Sequence, residues 1–595
     1  YIKLISFFGD DITGPVGTAK KLKEDTNDDF IGDGTTLNQA MAEFTKSISV
    51  SGSTMKIRIR VFSNGGNEEW AIDNFRLSSP ITNSTWDGTT WSNGTPTASI
   101  DAIIASSTTP SSFTCKALTI NNSFSLSTTG ITATVNGAIT NNGNGITGTG
   151  NLVIASNAAL AGTAISFNGN LTVNTGATLT TNNLLTLSSN AANSGSIGNS
   201  AGSVSGNVTV QRYIPAGRRV FRFLAHPFTT NLAMSEITDD IDITGTGGTP
   251  FTTTTTNSPS AYSYDNSIAN SSLSSDPGWT ALTANNTLNS KIPYRILVRG
   301  SKGQTGSLTG GTYTPDAVTI DWTGAVNQGN QVITLTNNGT NKAYNFISNP
   351  FASPVDLSLI TRGSSINANF SVWNAQASTR GAYVTQAFTS SYILPSGSAF
   401  FTQTSANTNN TITFTETSKS TASPAGIFRT NQQEDQLVIE VIDQAGKYAD
   451  QLSFFLNNNN QNYTANTDVL WDAEKLINPD LNFYSFGNDL KKLAIDRRPI
   501  TIKDTIQLGF TNTTTGNFSF VVKQVLEKNA PTILYLRDKF LLTEKVLKLN
   551  DTIAISITND ALSQGNNRFE IIAKQAPMVL PETNLALLLS PNPVK

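Results

Sequence analysis

The sequence predicts an all-β fold: a multidomain rod of jelly-roll or β-sandwich modules with a repetitive, solenoid-like segment among them. Three observations carry this. The chain has 595 residues, too many for one hydrophobic core, and ordinary domain size implies about three to five domains. Several short stretches alternate apolar and polar residues with period two, the mark of strands with one wet face. Between residues 81 and 212, apolar triplets recur about 20 residues apart among Asn, Gly, Ser and Thr, which marks stacked β rungs.

Residues 1–80 end in two strands, and residues 68–77 (EEWAIDNFRL) resemble the closing strand of jelly-roll, lectin-like modules, which implies the C-terminal part of such a module. Residues 55–61 (MKIRIRV) alternate apolar and cationic, a turn follows at 63–67, and residues 70–77 (WAIDNFRL) are again strand-like. The pair predicts a hairpin. In the segment 81–212 the triplets stand at 118–120, 133–135, 152–154, 171–173, 185–187 and 208–210. One rung has too little apolar surface to fold alone, so stacking must supply the core. Asn136-Gly137 and Asn168-Gly169 are the expected corners with φ > 0. Trp86 and Trp91 open the segment and are expected to cap its end.

Residues 213–428 read as a β-sandwich with long loops. The runs at 211–215 (QRYIP) and 218–224 (RRVFRFL) resemble those that lead into a sandwich in related surface proteins, which implies its start here, and 293–298, 343–347 and 398–402 are among its strands. The loop at 251–276, with five consecutive threonines, is expected to be a mobile insertion. Residues 429–577 form a second sandwich, with 435–442 as an alternating strand and 567–572 as the closing one. In residues 578–595 a short tether leads into an apolar strand, 587–589. Pro591 and Pro593 then fix φ and bias the residue before each toward extended backbone.

Only 14% of residues are charged and the net charge is −3, which argues against nucleic acid or an anionic membrane as an electrostatic partner. No apolar run approaches the length of a membrane helix. The single cysteine, Cys115, has no partner in the chain and reads as a small buried residue. The single histidine, His226, precedes a proline in a strand-to-turn context and reads as structural, because no nucleophile or acid motif accompanies it. Nucleophile elbows, His/Cys metal spacings and phosphate-binding glycine loops are not found. The expectation is a protein without catalytic residues or a bound cofactor. Tyr1 is not a natural start, so the chain is expected to be an interior piece of a longer precursor.

Carboxylate pairs capable of glycosidase chemistry are Glu68 with Glu69, Asp239 with Asp240, and Asp472 with Glu474; adjacent acids in loops are more simply solvated or calcium-binding. Glu68, Glu69 and Asp73 offer hard oxygen ligands for Ca²⁺; otherwise they form a polar hairpin pairing with Arg58 or Arg76. Trp86, Trp91, Trp279, Trp322, Trp373 and Tyr383 are candidate sugar-stacking platforms, against the simpler reading of core or rim. The cluster Lys491, Lys492, Arg497 and Arg498 reads as a wet strand face and turn.

Ser590-Pro591-Asn592-Pro593 resembles the opening of the C-terminal sorting domain of type IX secretion substrates in Bacteroidetes. Residues 68–77 (EEWAIDNFRL) resemble the closing strand of jelly-roll adhesin modules. The runs at 86–96, 211–224 and 349–356 resemble boundaries in flavobacterial surface proteins, and 471–476 and 493–496 resemble the module preceding the sorting domain. This resemblance implies a large, non-enzymatic cell-surface protein, exported and attached at the outer membrane, that works as an adhesin and in gliding cells as a motility adhesin. Its partners would be the translocon barrel and shuttle protein, then extracellular glycans or surfaces. Asp504-Thr505-Ile506 and Asp551-Thr552-Ile553 resemble the bacteroidetal O-glycosylation sequon, which implies glycans on Thr505 and Thr552. Two alternatives remain: the non-catalytic trailer of a secreted hydrolase or nuclease, or a carbohydrate-binding module.

Overall fold

The computed structural model describes residues 5–9, 22–37, 45, 57–61, 76, 81–268, 278–309, 312–339, 343–422, 436–457, 460, 463–512, 515–525 and 532–575; element counts below refer to these. The chain divides into two units, residues 1–79 and 80–595. In the first, Phe7–Gly9 pairs antiparallel with Leu22–Glu24. Of the hairpin expected at 55–77, only 57–61 and Arg76 are described, and no ladder among the described residues includes them.

The second unit is nearly all β; its one α-helix is Ser235–Thr238. It opens as a β-solenoid of about six turns. One face stacks Phe113–Cys115, Thr132–Val135, Asn151–Ile154, Asn170–Val173 and Ser196–Ile197 in parallel. Ala133 faces Leu152 and Leu152 faces Leu171, steps of 19 residues. A second face has seven strands, from Asn83–Trp86 to Ser203–Ser205. A third includes Ile165–Phe167, Leu185–Leu187 and Val208–Ile214. The six apolar triplets therefore fall on three different faces. Their inward residues form columns such as Cys115, Val135, Ile154 and Val173, all buried.

Gly137 and Gly169 do not turn corners with φ > 0; that conformation falls to Gly130, Gly145, Gly148, Gly162, Gly176, Gly206, Asn182 and Asn183. Gly169 is required for a different reason. A Cβ there would lie 2.4 Å from the Gly150 carbonyl oxygen and 2.5 Å from the Phe167 ring, so glycine is what lets successive turns approach. At the solenoid's N-terminal end Trp86 and Trp91 are buried, with ring centroids 5.5 Å apart, and Trp91 packs on Phe113 at 5.2 Å. They occupy the capping position.

The strand Val208–Ile214 stacks in parallel on Leu185–Leu187 and pairs antiparallel with Val318–Gly324 over its whole length. One strand thus closes the solenoid and belongs to the next region. A single core cluster runs from Trp86 through Val210 to Trp322 and Ala352. Two four-stranded sheets follow: Val220–Leu224, Tyr294–Val298, Ala261–Tyr264 and Trp279–Ala281, then Tyr344–Ser348, Ala399–Gln403, Asn369–Asn374 and Ala382–Ala387. The described part of the expected mobile insertion, 251–268, is packed rather than loose. Phe251 is buried, Thr252 Oγ1 donates to Asp242 at 2.8 Å, and Ala261–Tyr264 is a sheet strand.

Residues 436–575 form an eleven-stranded sheet folded around Phe483, Phe510, Phe520 and Phe569. It is docked on the preceding region through Asn367, whose Nδ2 donates to the Val469 and Asp472 carbonyls, and through an Arg380–Asp480 ion pair at 2.8 Å. Arg497 and Arg498 are not a wet face. Both are buried, Arg498 against Asp496 at 2.6 Å and Arg497 over the Phe455 ring at 4.1 Å. The strand Lys492–Arg498 is central in the sheet, so burial on both faces replaces the expected alternation.

Candidate functional site

The two four-stranded sheets bring together an aromatic core cluster, with buried Phe223 and Phe401 at its centre and half-buried rings packed around them. Cross-strand pairing sets Tyr264 opposite Trp279, Phe223 opposite Arg295, Phe346 opposite Phe401 and Trp373 opposite Tyr383. Phe223 is the hub: its ring lies 4.7 Å from Phe346, 5.7 Å from Phe401, 5.9 Å from Trp373 and 6.0 Å from Trp279. Trp373 is oriented by its indole N–H, which donates to the Phe221 carbonyl at 2.8 Å. The Arg295 guanidinium lies 4.0 Å from the Phe221 centroid and 5.2 Å from that of Trp279. Tyr264, Trp279, Phe346, Trp373, Tyr383 and Arg295 remain half-buried. Burial pushes the Tyr383 phenol up to about 12, with Arg295 opposing. The half-buried rim of this cluster carries aromatic rings and a guanidinium, groups of the kind that contact a sugar or an aromatic group.

Of the aromatic candidates, Trp279, Trp373 and Tyr383 thus share one cluster, whereas Trp86, Trp91 and Trp322 are core residues. Phe223, Tyr264, Phe346 and Arg295 are not legible as one group in the sequence, because each belongs to a different strand. Their only sequence signal was the alternation within each strand.

Of the three carboxylate pairs, the two that are described have members with separate partners. Asp472 is buried, while Glu474 holds Lys491 at 2.7 Å. Asp240 accepts the Asp321 amide at 2.8 Å and burial pushes it up to about 6, while Asp239 is exposed. His226 is buried between the Leu288 carbonyl, 3.0 Å from Nε2, and the Phe228 amide, which donates to Nδ1 at 3.4 Å; burial lowers its pKa. Both ring nitrogens are thereby engaged in holding a turn. Cys115 is in a solenoid column, and burial pushes its thiol up to about 12, well away from thiolate chemistry.

Glu68, Glu69 and Asp73 lie outside the described residues, as do Ser590, Pro591, Asn592 and Pro593. Among the described residues no group of three or more His, Cys, Asp or Glu can hold a metal ion, and no helix is long and apolar enough to cross a membrane. Thr505 and Thr552 are both exposed first residues of strands, Thr505–Asn512 and Thr552–Ile557. Each follows a turn whose aspartate, Asp504 or Asp551, accepts the amide three residues back, at 2.5 and 3.1 Å. No protein-family model matches the chain, and no curated protein or solved structure matches it either.

Proposed function

We propose that this chain is a non-enzymatic, exported cell-surface protein that travels by type IX secretion and acts as an adhesin. Solenoid and sandwiches serve as a stalk, and the half-buried aromatic rim of Tyr264, Trp279, Trp373 and Tyr383 serves as a binding face for extracellular glycans. The observation that carries the stalk reading is the shared strand Val208–Ile214: it belongs to both solenoid and sandwich, so no flexible linker separates them. The export reading rests on Ser590 to Pro593 and the resemblance already described. Its partners are the translocon barrel and its shuttle protein, and its location is the outside of the outer membrane. Exposed Thr505 and Thr552 are accessible for glycans in that setting.

Fractionation of producing cells tests this. The protein is expected on the surface or in the medium of wild-type cells and inside a strain lacking the translocon. Equal location in both strains would reject the export reading, and the adhesin proposal with it.

A further inference from the structure

Lys475 and Asp450 meet inside the last sheet, and neither side chain reaches water. Nζ lies 2.6 Å from Oδ1, with side-chain exposures of 2% and 1%. Asp450 stands in the strand Tyr448–Leu456 opposite Val441, which belongs to the apolar core shared with Leu452, Leu481 and Phe483. Lys475 directly follows the short strand Ala473–Glu474, and its amide donates to the Lys492 carbonyl at 2.8 Å. Both backbones are thereby fixed. The Lys475 side chain has no other hydrogen-bond partner among the described residues. The second carboxyl oxygen of Asp450, Oδ2, accepts the Phe483 amide at 2.6 Å.

Taking two opposite charges out of water costs more than their attraction returns unless further hydrogen bonds satisfy them. Burial raises the Asp450 pKa, with Lys475 and the Phe483 amide opposing. A proton moved from Nζ to Oδ1 removes both charges at once. The neutral pair is then a primary amine held against a carboxylic acid, a nucleophile in lasting contact with an electrophile.

We propose that Lys475 and Asp450 are joined by an amide bond between Nζ and Cγ, an intramolecular cross-link formed after folding. The Nζ lone pair attacks Cγ and makes the N–C bond. Oδ2, held by the Phe483 amide, carries the negative charge of the tetrahedral intermediate and becomes the amide carbonyl oxygen. One proton of the attacking amine passes to Oδ1, the Cγ–Oδ1 bond breaks, and Oδ1 leaves as water. Amine and acid become amide and water, so no oxidant or co-reactant is needed. The bond ties positions 25 residues apart, in a chain whose single cysteine leaves no intrachain disulfide. It does not depend on the adhesin reading.

Intact-mass measurement of the full chain, purified folded, tests this. Wild type is expected to weigh less than its sequence by one water. Lys475→Met, which removes the nucleophile, should show its full mass. Closure of an aspartate to a cyclic imide gives the same deficit, so tryptic mapping must locate it. Trypsin does not cut after an acylated lysine. The cross-linked chain should therefore yield residues 448–491 as one peptide carrying the deficit, in place of peptides ending at Lys475 and at Lys491. If Lys475→Met does not fold, the wild-type map decides. A full-mass wild type cut normally after Lys475 would overturn the cross-link and leave a buried ion pair. A deficit carried on a peptide that ends at Lys475 would overturn it equally.

Discussion

At the residue scale the most informative side chain is Asp472. It is 2% exposed, accepts the Arg497 amide at 2.6 Å and the Asp468 amide at 2.8 Å, and is pushed up to about 7 by burial. The two amides oppose that shift, the Asp496 charge adds to it, and Arg497 opposes it. In the native state it therefore holds a proton that the unfolded chain releases near pH 4. Stability from this group is full below the unfolded pKa and is lost as pH rises to about 7, with a slope of up to about 1.4 kcal/mol per pH unit. Asp472→Asn should flatten that slope. Urea unfolding of both proteins from pH 4 to 8 checks it, and parallel curves would contradict the assignment. In sequence Asp472 looked like half of a carboxylate pair; only the fold shows it buried and apart from Glu474. His226 and Cys115 were easier to read. A lone histidine without a nucleophile, and a lone cysteine in an apolar rung, have few roles open to them.

At the element scale the solenoid turns are set by glycines of two kinds. Gly150 lies where a Cβ would sit 1.7 Å from the Thr128 carbonyl oxygen, a contact with backbone that no rotamer relieves. Gly176 has φ of +76° and nothing within 4 Å of the Cβ position. Gly176→Ala should cost about 1–2 kcal/mol, the price of a left-handed alanine. Gly150→Ala must push two turns apart and should cost at least about 3 kcal/mol. Chemical denaturation of the two variants ranks them, and equal losses would mean the turns can slide. The repeat was legible because apolar triplets are local in sequence. Which glycines served contact and which served φ was not, because the neighbour that makes Gly150 indispensable is about one turn away along the chain.

At the scale of the whole molecule, the solenoid and the region after it share a strand. Val208–Ile214 would be a bare edge if Val318–Gly324 were removed, and bare edges recruit other chains. A fragment of residues 81–214 should therefore self-associate, while one of residues 81–330 stays monomeric in sedimentation. Monomeric behaviour of both would show that the pairing is dispensable.

What the sequence determined by itself was the class of structure and its periodicity. Alternation, short apolar triplets and polar turns are properties of neighbouring residues, and they permit little besides β rungs and sheets. The tertiary structure alone decided which strands share a sheet, and therefore which aromatics meet at Phe223 and which charges are buried. Those depend on pairings between residues tens to hundreds of positions apart. Arg497 shows the limit most plainly: its charge suggested solvent, but its strand is central in an eleven-stranded sheet and has none to face.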